Sequence, residues 1–166
     1  MKIALVTDLH FGARNDNQKV ADFQRLFYEK VFFPYVDEHN IQTVIDLGDT
    51  FDRRKFISYT SLKSAKEMFF NPLHQRGIET HVLVGNHDIT YKNTLDVNSI
   101  DLLLDGYQNI IEHSSPTTIQ VDDLNILLMP WICKENYDQC WDMIKNAPAQ
   151  VCMGHLELNG FQMYKG

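Results

Sequence analysis

Cysteines are few in this chain, and long apolar runs are missing from it. The three cysteines, Cys133, Cys140 and Cys152, are odd in number and never spaced as C-x-x-C, which excludes a disulfide framework and indicates reduced thiols in a cytosolic protein. No segment approaches the roughly 20 apolar residues of a membrane span. The apolar run at the N-terminus is too short for a signal peptide. The sequence therefore predicts a cytoplasmic protein with no membrane role.

Positive charge is also in short supply. The chain has 15 lysines and arginines against 22 aspartates and glutamates, which gives a formal net charge of −7 and an isoelectric point near 5.4. This balance excludes a basic module that grips nucleic acid through bulk charge alone. It does not exclude an enzyme that acts on nucleic acid, because bound metal cations can reverse the sign of the field in a single cleft.

The chain does contain enough apolar residues for a core. With 44% apolar and 22% charged residues, and without repeats or low-complexity tracts, residues 1–166 read as one globular domain. Five short apolar runs end abruptly in polar or glycine-containing residues, which is typical of strands buried on both faces. These runs are Lys2–Asp8, Thr43–Asp49, Thr80–Asn86, Asn125–Trp131 and Gln150–His155. Two segments, Ile119–Val121 and Ile126–Met129, predict a hairpin.

Four further segments have the apolar spacing of amphipathic helices. The first follows the cap candidates Asp16 and Asn17 and is strained or ended near Pro34. The apolar faces of the four helices are Val20, Phe23, Phe27 and Val31; Leu62, Ala65 and Phe69, in a helix closed by Pro72; Val97, Ile100 and Leu104, in a helix terminated by Gly106; and Tyr137, Trp141 and Ile144, before Pro148. Strands that alternate with helices predict an α/β fold in which layered sheets are flanked by helices.

The residues that follow four of the strands are unusual in kind. The four strand ends carry Asp8-Leu9-His10, Gly48-Asp49-Thr50-Phe51-Asp52, Gly85-Asn86-His87-Asp88 and Gly154-His155. In an open α/β sheet, loops that leave the carboxyl ends of parallel strands converge on one crevice. Oxygen and imidazole donors of this mix suit manganese, iron, zinc or magnesium. The sequence therefore predicts a metal site distributed over the strand ends.

Taken singly, most of these elements have ordinary explanations. Asp8 with His10 reads as a turn carboxylate beside a surface imidazole, and Gly48-Asp49 as a turn that ends a strand. His155 alone reads as a partly buried, hydrogen-bonded histidine. Four such coincidences at successive strand ends favour the functional interpretation.

The same motifs resemble a known enzyme family. Their order, Asp-x-His, Gly-Asp-x-x-Asp, Gly-Asn-His-Asp and Gly-His, is similar to the signature of the calcineurin-like metallophosphoesterases. Within that superfamily, Asp8-Leu9-His10-Phe11-Gly12 and Met153-Gly154-His155 resemble the nuclease subunits of recombination and repair complexes that contain an SMC-like ATPase, most closely their tailed-phage branch. The resemblance implies a metal-dependent DNA nuclease that hydrolyses phosphodiester bonds in recombination and double-strand-break processing.

The resemblance also implies a cofactor and its ligands. Two divalent metal ions, manganese or alternatively magnesium, would share the bridging carboxylate of Asp49. Two cations about 4 Å apart can stabilise both the entering and the leaving oxygen of a phosphodiester attacked by water. The remaining ligands would be Asp8 and His10 for the first ion and Asn86 and His155 for the second.

Two further residues are expected to act on the substrate. By the resemblance, His87 contacts the scissile phosphate and protonates or stabilises the leaving oxygen, a task that suits its ordinary pKa near 6.5. Asp52 is expected to orient His87 and raise its pKa, although some relatives in the nuclease branch carry a histidine there. The alternative for Asp52 is that it only caps the turn.

The expected partners are DNA, the SMC-like ATPase and a second copy of the protein. Arg14, Arg53, Arg54 and Lys55 are candidates to hold flanking phosphates, with a solvated loop as the alternative. In the nuclease family, helices in the region of the second and third helices here form a two-fold dimer interface. Their apolar faces, which also include Met68, Leu95 and Leu103, serve equally well as core.

One departure from the family concerns the end of the chain. The family completes its metal site with a later Gly-His-x-His element, but none of the seven histidines follows His155. We therefore interpret residues 1–166 as the N-terminal part of a nuclease domain, without its last ligands and capping region. Two alternatives remain, namely a phosphomonoesterase of the same superfamily and a degenerate, non-enzymatic scaffold.

Overall fold

A parallel sheet forms the first layer of the protein. The computed structural model describes residues 2–160. Four strands lie side by side in chain order, each parallel to the next. They are β1 (Ile3–Val6), β2 (Thr43–Asp46), β3 (Glu79–Leu83) and β4 (Ile110–His113). The α/β class predicted from the sequence is confirmed.

A smaller mixed sheet packs against the first. Its strands are β5 (Thr117–Val121), β6 (Leu124–Met129) and β7 (Val151–Gly154). The predicted hairpin is confirmed, because β5 and β6 pair antiparallel around a turn at Asp122 and Asp123, and β7 runs parallel to β6. Ile45 and Leu83 of the first sheet and Ile126 and Leu128 of the second are fully buried in one cluster. The two sheets therefore pack face to face.

The observed strands end earlier than the apolar runs do. β1 ends at Val6 and β2 at Asp46, because the backbone then turns into the left-handed region at Asp8 (φ 53°) and Asp49 (φ 58°), where a pleated strand cannot continue. The sequence pattern also missed β4, whose four residues Ile-Ile-Glu-His show too little alternation to stand out.

Prolines do not end the first two helices. α1 (Ala13–Asp16) is a single turn. α2 (Gln18–Phe27) is capped at its N-terminus by Asn17, whose side chain accepts hydrogen bonds from the main-chain N–H groups of Lys19 and Val20. α2 then runs through a π-helical segment, Tyr28–Phe32, into α3 (Phe33–Glu38), which contains Pro34. A proline lacks the N–H of the α-helical ladder and clashes with the preceding turn, and a wider π turn relieves that clash.

The second helix repeats this arrangement. α4 (Tyr59–Ala65) passes through the π segment Lys66–Phe70 into α5 (Asn71–Gln75), so the prediction that Pro72 closes the helix is wrong. The later helices are α6 (Ser99–Leu104) and α7 (Tyr137–Asn146), close to their predicted positions. No helix within residues 2–160 has the length and apolar character needed to cross a membrane.

Some of the predicted apolar helix faces are buried against other segments, and others are exposed to solvent. Phe69, Ile100 and Leu104 are buried in the main core, which decides between the two roles that the sequence left open for them. On α2, however, Phe23 is 74% exposed, and on α7 Trp141 is 49% exposed. The members of these two predicted faces that lie on the surface are Phe23, Phe27, Val31, Tyr137, Trp141 and Ile144. Apolar spacing reveals a stripe, but it does not reveal what covers the stripe.

Candidate metal centre

The loops after β1 and β2 run side by side beyond the ends of their strands. The N–H of Asp8 donates to the carbonyl of Gly48 (3.0 Å), and the N–H of His10 donates to the carbonyl of Asp49 (3.0 Å). These bonds extend the parallel pairing into the loops. As a result, Asp8 and His10 lie next to the loop that carries Asp49.

The loop after β3 approaches the Asp49 loop closely. Gly85 allows this approach, because a Cβ atom built on it would lie 2.3 Å from the main-chain nitrogen and 2.3 Å from the Oδ1 of Asp49. Gly48 provides the sharp turn before Asp49, with a left-handed φ of 104°. Any larger residue at position 85 would push Asp49 and Asn86 apart.

All five predicted ligands meet around one carboxylate. The Oδ2 atom of Asp49 lies 3.4 Å from Nε2 of His155 and 3.8 Å from Nε2 of His10. Each histidine also has a side-chain oxygen beside it that could bind a metal. His10 Nε2 lies 3.4 Å from Oδ1 of Asp8, and His155 Nε2 lies 3.0 Å from Oδ1 of Asn86. The structure thus brings together side chains from four strand ends, three in the first sheet and, for His155, β7 of the second sheet.

This donor set fits divalent cations. Two groups of donor atoms each lie within 4.8 Å of one another, namely His10, Asp49 and His87 in one group and Asp8, Asp49 and His155 in the other. Asp49 belongs to both groups. The Nδ1 atom of His10 is buried without a hydrogen-bond partner in the described part of the chain. Carboxylate with imidazole suits a metal such as manganese, iron or zinc.

Asp49 and His155 adjust each other's protonation. Burial favours a higher pKa for Asp49, but the contact with His155 and the bond from the N–H of His87 outweigh it, and the pKa is lowered. Burial lowers the pKa of His155, but Asp49 beside it outweighs that effect and raises the pKa above its ordinary value. A proton on His155 therefore competes with a metal ion for the same nitrogen.

His87 contacts the main chain of Asp52 instead of its side chain. The Nδ1 atom of His87 lies 2.6 Å from the carbonyl oxygen of Asp52. The carboxylate of Asp52 turns the other way, with Oδ1 3.6 Å from Nδ1 of His10. The expectation that the Asp52 carboxylate orients His87 thus needs correcting, because the backbone turn after β2 presents its carbonyl to His87. This bond makes Nδ1 the protonated atom of a neutral His87 and leaves Nε2 as the free nitrogen.

Two buried carboxylates beneath the site received no role from the sequence. Asp46 ends β2 with none of its surface exposed, and Asp88 is 1% exposed. Asp46 accepts bonds from the N–H of Gly48 (3.1 Å) and the hydroxyl of Thr50 (2.9 Å). An acidic residue inside an apolar strand is the signal that could have identified Asp46, since an unpaired buried carboxyl is costly.

Asp46 makes the metal-free protein sensitive to pH. Burial, and then the nearby Asp88, raise the pKa of Asp46 to about 8. The unfolded chain releases this proton near pH 4, at about the ordinary value for aspartate. The unfolded state therefore binds fewer protons between about pH 4 and 8, and we expect the free energy of unfolding to fall as the pH rises through this window. Urea denaturation in a chelator at several pH values measures the slope.

Asp46→Asn provides the matched variant for this prediction. Asparagine keeps the shape and both hydrogen-bonding positions but does not ionise, so the slope is expected to become shallower. Some slope remains, because the raised pKa of Asp88, about 6, and that of His155 act in the same direction. An identical slope in the variant and the original protein would contradict the assignment to Asp46.

The basic candidates lie on two neighbouring loops. The guanidinium of Arg53 donates to the side chain of Asn15, the residue after Arg14, and packs over the ring of Phe56 at 5.0 Å. Lys55 and Arg14 are exposed, and Arg54 is half-buried. The loops after β1 and β2 therefore carry these four residues on the same side of the protein as the Asp49 cluster.

The chain is similar to known proteins. The chain is similar to exonuclease subunit 1 of Enterobacteria phage T4, with 39% identity over 166 residues, which are 100% of this chain and 48% of the phage protein. It therefore spans about half the length of that curated relative. It also has a likeness to the crystal structure of the Pseudomonas putida nuclease MPE, with a TM-score of 0.44, 17% identity, and coverage of 76% of this chain and 52% of that one. Residues 1–166 match the family of calcineurin-like phosphoesterases from end to end, and the chain belongs to that family.

Proposed function

We propose that this chain carries the metal-binding half of a DNA nuclease that hydrolyses phosphodiester bonds. The observation that supports this most directly is the cluster centred on Asp49, in which donors from four strand ends meet within reach of two cations. The similarity to a phage exonuclease subunit favours DNA as the substrate. The acidic composition is compatible with this substrate, because the carboxylates of Asp8 and Asp49 would face cations instead of phosphates.

Each residue of the site has a distinct task in this proposal. Asp49, which belongs to both groups of converging donor atoms, would be shared by two cations, and Asp8, His10, Asn86 and His155 would supply the other ligands. Divalent cations bound there, manganese first and magnesium as the alternative, would activate water and neutralise charge on the phosphodiester oxygens. When His87 carries a proton on both ring nitrogens, Nδ1 donates to the Asp52 carbonyl and the proton on Nε2 would pass to the leaving oxygen, which leaves His87 neutral.

The choice of substrate separates this proposal from its main alternative, a phosphomonoesterase. We expect manganese-dependent release of nucleotides from DNA by the natural full-length protein, with little hydrolysis of a simple aryl monophosphate. The reverse preference would reject the nuclease and favour the phosphomonoesterase. Asp105→Asn removes a charge at an exposed position after α6, away from the site. This control variant should have the same substrate preference as the original protein.

The four basic residues near the cluster would hold the DNA backbone. We expect removal of all four charges, by Arg14→Gln, Arg53→Gln, Arg54→Gln and Lys55→Gln, to weaken binding of duplex DNA. The slope of log affinity against log salt should become shallower by about 0.9 for each phosphate that the variant no longer neutralises. Fluorescence anisotropy in a chelator, which prevents cleavage, gives both quantities.

A control and a contrary outcome complete this prediction. Lys19→Gln and Lys134→Gln remove exposed charges elsewhere on the surface, and neither should change the slope. An unchanged slope in the fourfold variant would mean that the basic loop is only solvated.

We also propose that the catalytic unit in nature is longer than residues 1–166 and supplies further ligands. Two observations support this. The T4 relative is about twice as long. In addition, apolar faces on α2 and α7 lie exposed, and beside α2 the edge strand β1 leaves Leu5 50% exposed. If the proposal is right, a longer natural chain will protect Phe23 and Trp141 from labelling, whereas equal labelling in both lengths would reject it.

The proposed partners of this chain are an SMC-like ATPase and a second copy of the nuclease. Most of the apolar residues considered for the dimer, such as Phe69 and Ile100, lie in the core, and Val97 remains exposed. Tyr59 and Leu102, which the sequence analysis did not consider, are exposed on the same helices or next to them and are further candidates. Sedimentation of the natural protein over a range of concentrations tests the dimer, and Leu102→Glu should shift it towards monomer.

A further inference from the structure

Asp88 is the most completely hydrogen-bonded carboxylate beside the proposed metal centre. It follows His87 in the loop after β3 and is 1% exposed. Neither group of converging donor atoms contains it. Its oxygens accept hydrogen bonds from the main chain of the two loops that carry Asp49 and Asn86.

Asp88 accepts four main-chain hydrogen bonds. The Oδ2 atom accepts from the N–H groups of Asp49 (2.9 Å), Thr50 (3.3 Å) and Gly85 (3.0 Å). The Oδ1 atom accepts from the N–H of Phe51 (3.2 Å) and, at the limit of 3.5 Å, from the hydroxyl of Ser99. One carboxylate thus binds three successive amides of the Asp49 loop and one amide of its own loop.

Asp49 in turn accepts a hydrogen bond from the loop that carries Asp88. Its Oδ1 atom accepts from the N–H of His87 at 2.8 Å, while its Oδ2 atom faces His10 and His155. The two loops are therefore cross-braced by a pair of carboxylates, each accepting N–H groups from the opposite loop. Asp49 needs such bracing, because its φ of 58° is disfavoured for a residue with a side chain.

We propose that Asp88 is a positioning residue that fixes the Asp49 loop against the Asn86 loop and thereby sets the affinity of the centre for divalent cations. The proposal rests on the proposed function, since it assumes that the Asp49 cluster binds metal. Groups that orient metal ligands without binding the ion typically contribute 10–100-fold to affinity. The effect of Asp88 should fall within that range.

Two substitutions of graded severity test the proposal. Asp88→Asn retains the shape and, with its oxygen in the place of Oδ2, three of the four main-chain bonds, but its amide group would face the N–H of Phe51. Asp88→Ala removes all four bonds. We expect Mn²⁺ affinity, measured by calorimetry on the natural protein, to fall about 10-fold in the asparagine variant and about 100-fold in the alanine variant. Ser99→Ala, which removes only the weakest of these hydrogen bonds, should bind Mn²⁺ as the original protein does.

Amide hydrogen exchange without metal supplies an independent measurement. We expect exchange to accelerate at Phe51 in the asparagine variant and at Asp49, Thr50 and Phe51 in the alanine variant, with no change at Ile45 in the buried strand β2. Unchanged exchange together with unchanged Mn²⁺ affinity would overturn the proposal. So would a lower melting temperature with unchanged affinity, because that result describes a merely structural residue.

The design keeps the two proposals apart. If the original protein binds no Mn²⁺ and cleaves no DNA, the proposed function fails, and with it the role of Asp88 in metal affinity. If the original protein binds Mn²⁺, cleaves DNA and is insensitive to both substitutions, only the role of Asp88 fails.

Discussion

Asp49→Asn is expected to have the largest effect on the proposed metal centre. Asparagine has nearly the same shape as aspartate but lacks the charge and one of the two oxygen acceptors. Asp49 uses both oxygens, one for the N–H of His87 at 2.8 Å and one towards His10 and His155. Residues that only orient metal ligands typically contribute about 10–100-fold to metal affinity. Substitution of Asp49, which would bind both cations, should therefore weaken Mn²⁺ binding by more than about 100-fold. Nuclease activity should be lost with it.

Calorimetry and a DNA-degradation assay on the natural protein test this expectation. Circular dichroism should show that the variant is folded, since the main-chain bonds of the loop to Asp88 are retained. Asp105→Asn is the matched control and should behave like the original protein. Full Mn²⁺ affinity in Asp49→Asn would refute a bridging role for this residue.

His87→Gln is expected to separate catalysis from metal binding. Glutamine can hydrogen bond but cannot transfer a proton, and general acid catalysis typically contributes about 10²–10⁴-fold to rate. We therefore expect turnover on DNA to fall by at least about 100-fold, with Mn²⁺ affinity little changed. A diester with a nitrophenol leaving group should be cleaved almost normally by the variant, because that leaving oxygen needs no proton.

The contrary outcome for His87 is specific. Its ring lies within reach of His10 and Asp49, so it has the position of a possible ligand as well as that of an acid. If His87→Gln lowers Mn²⁺ affinity and loses both substrates equally, His87 serves the metal and not the leaving group. His74→Gln, at an exposed position on α5, controls for the loss of a surface histidine.

Convergence of the site could be predicted from the sequence. Asp8, Asp49 and Asn86 each follow a short apolar strand, and parallel strands bring their carboxyl ends to one edge of a sheet. The side-chain types then restrict the chemistry to hard or borderline cations. Neither inference depends on backbone dihedral angles, so both hold even though the observed strands end earlier than the predicted ones.

The faces of two helices could not be predicted in the same way. The spacing of Phe23, Phe27 and Val31 correctly indicates a helix, but in the structure Tyr28 and Phe32 of the adjoining π segment are buried instead. The same failure occurs on α7, where Cys140 is buried and Trp141 is exposed. Periodicity is a local property, whereas burial depends on which other segment lies opposite the helix.

The sequence by itself determined the class of fold, the family and the convergence of polar side chains at the strand ends, because residue types at strand ends and the rules of parallel sheets carry that information. Only the tertiary structure decided how the groups point. The carbonyl of Asp52, and not its carboxylate, meets His87, and Asp88 binds amides of the Asp49 loop. These contacts depend on left-handed turns at Asp8 and Asp49 and on the close approach of Gly85. Such features arise from packing between segments distant in the chain, which no local pattern records.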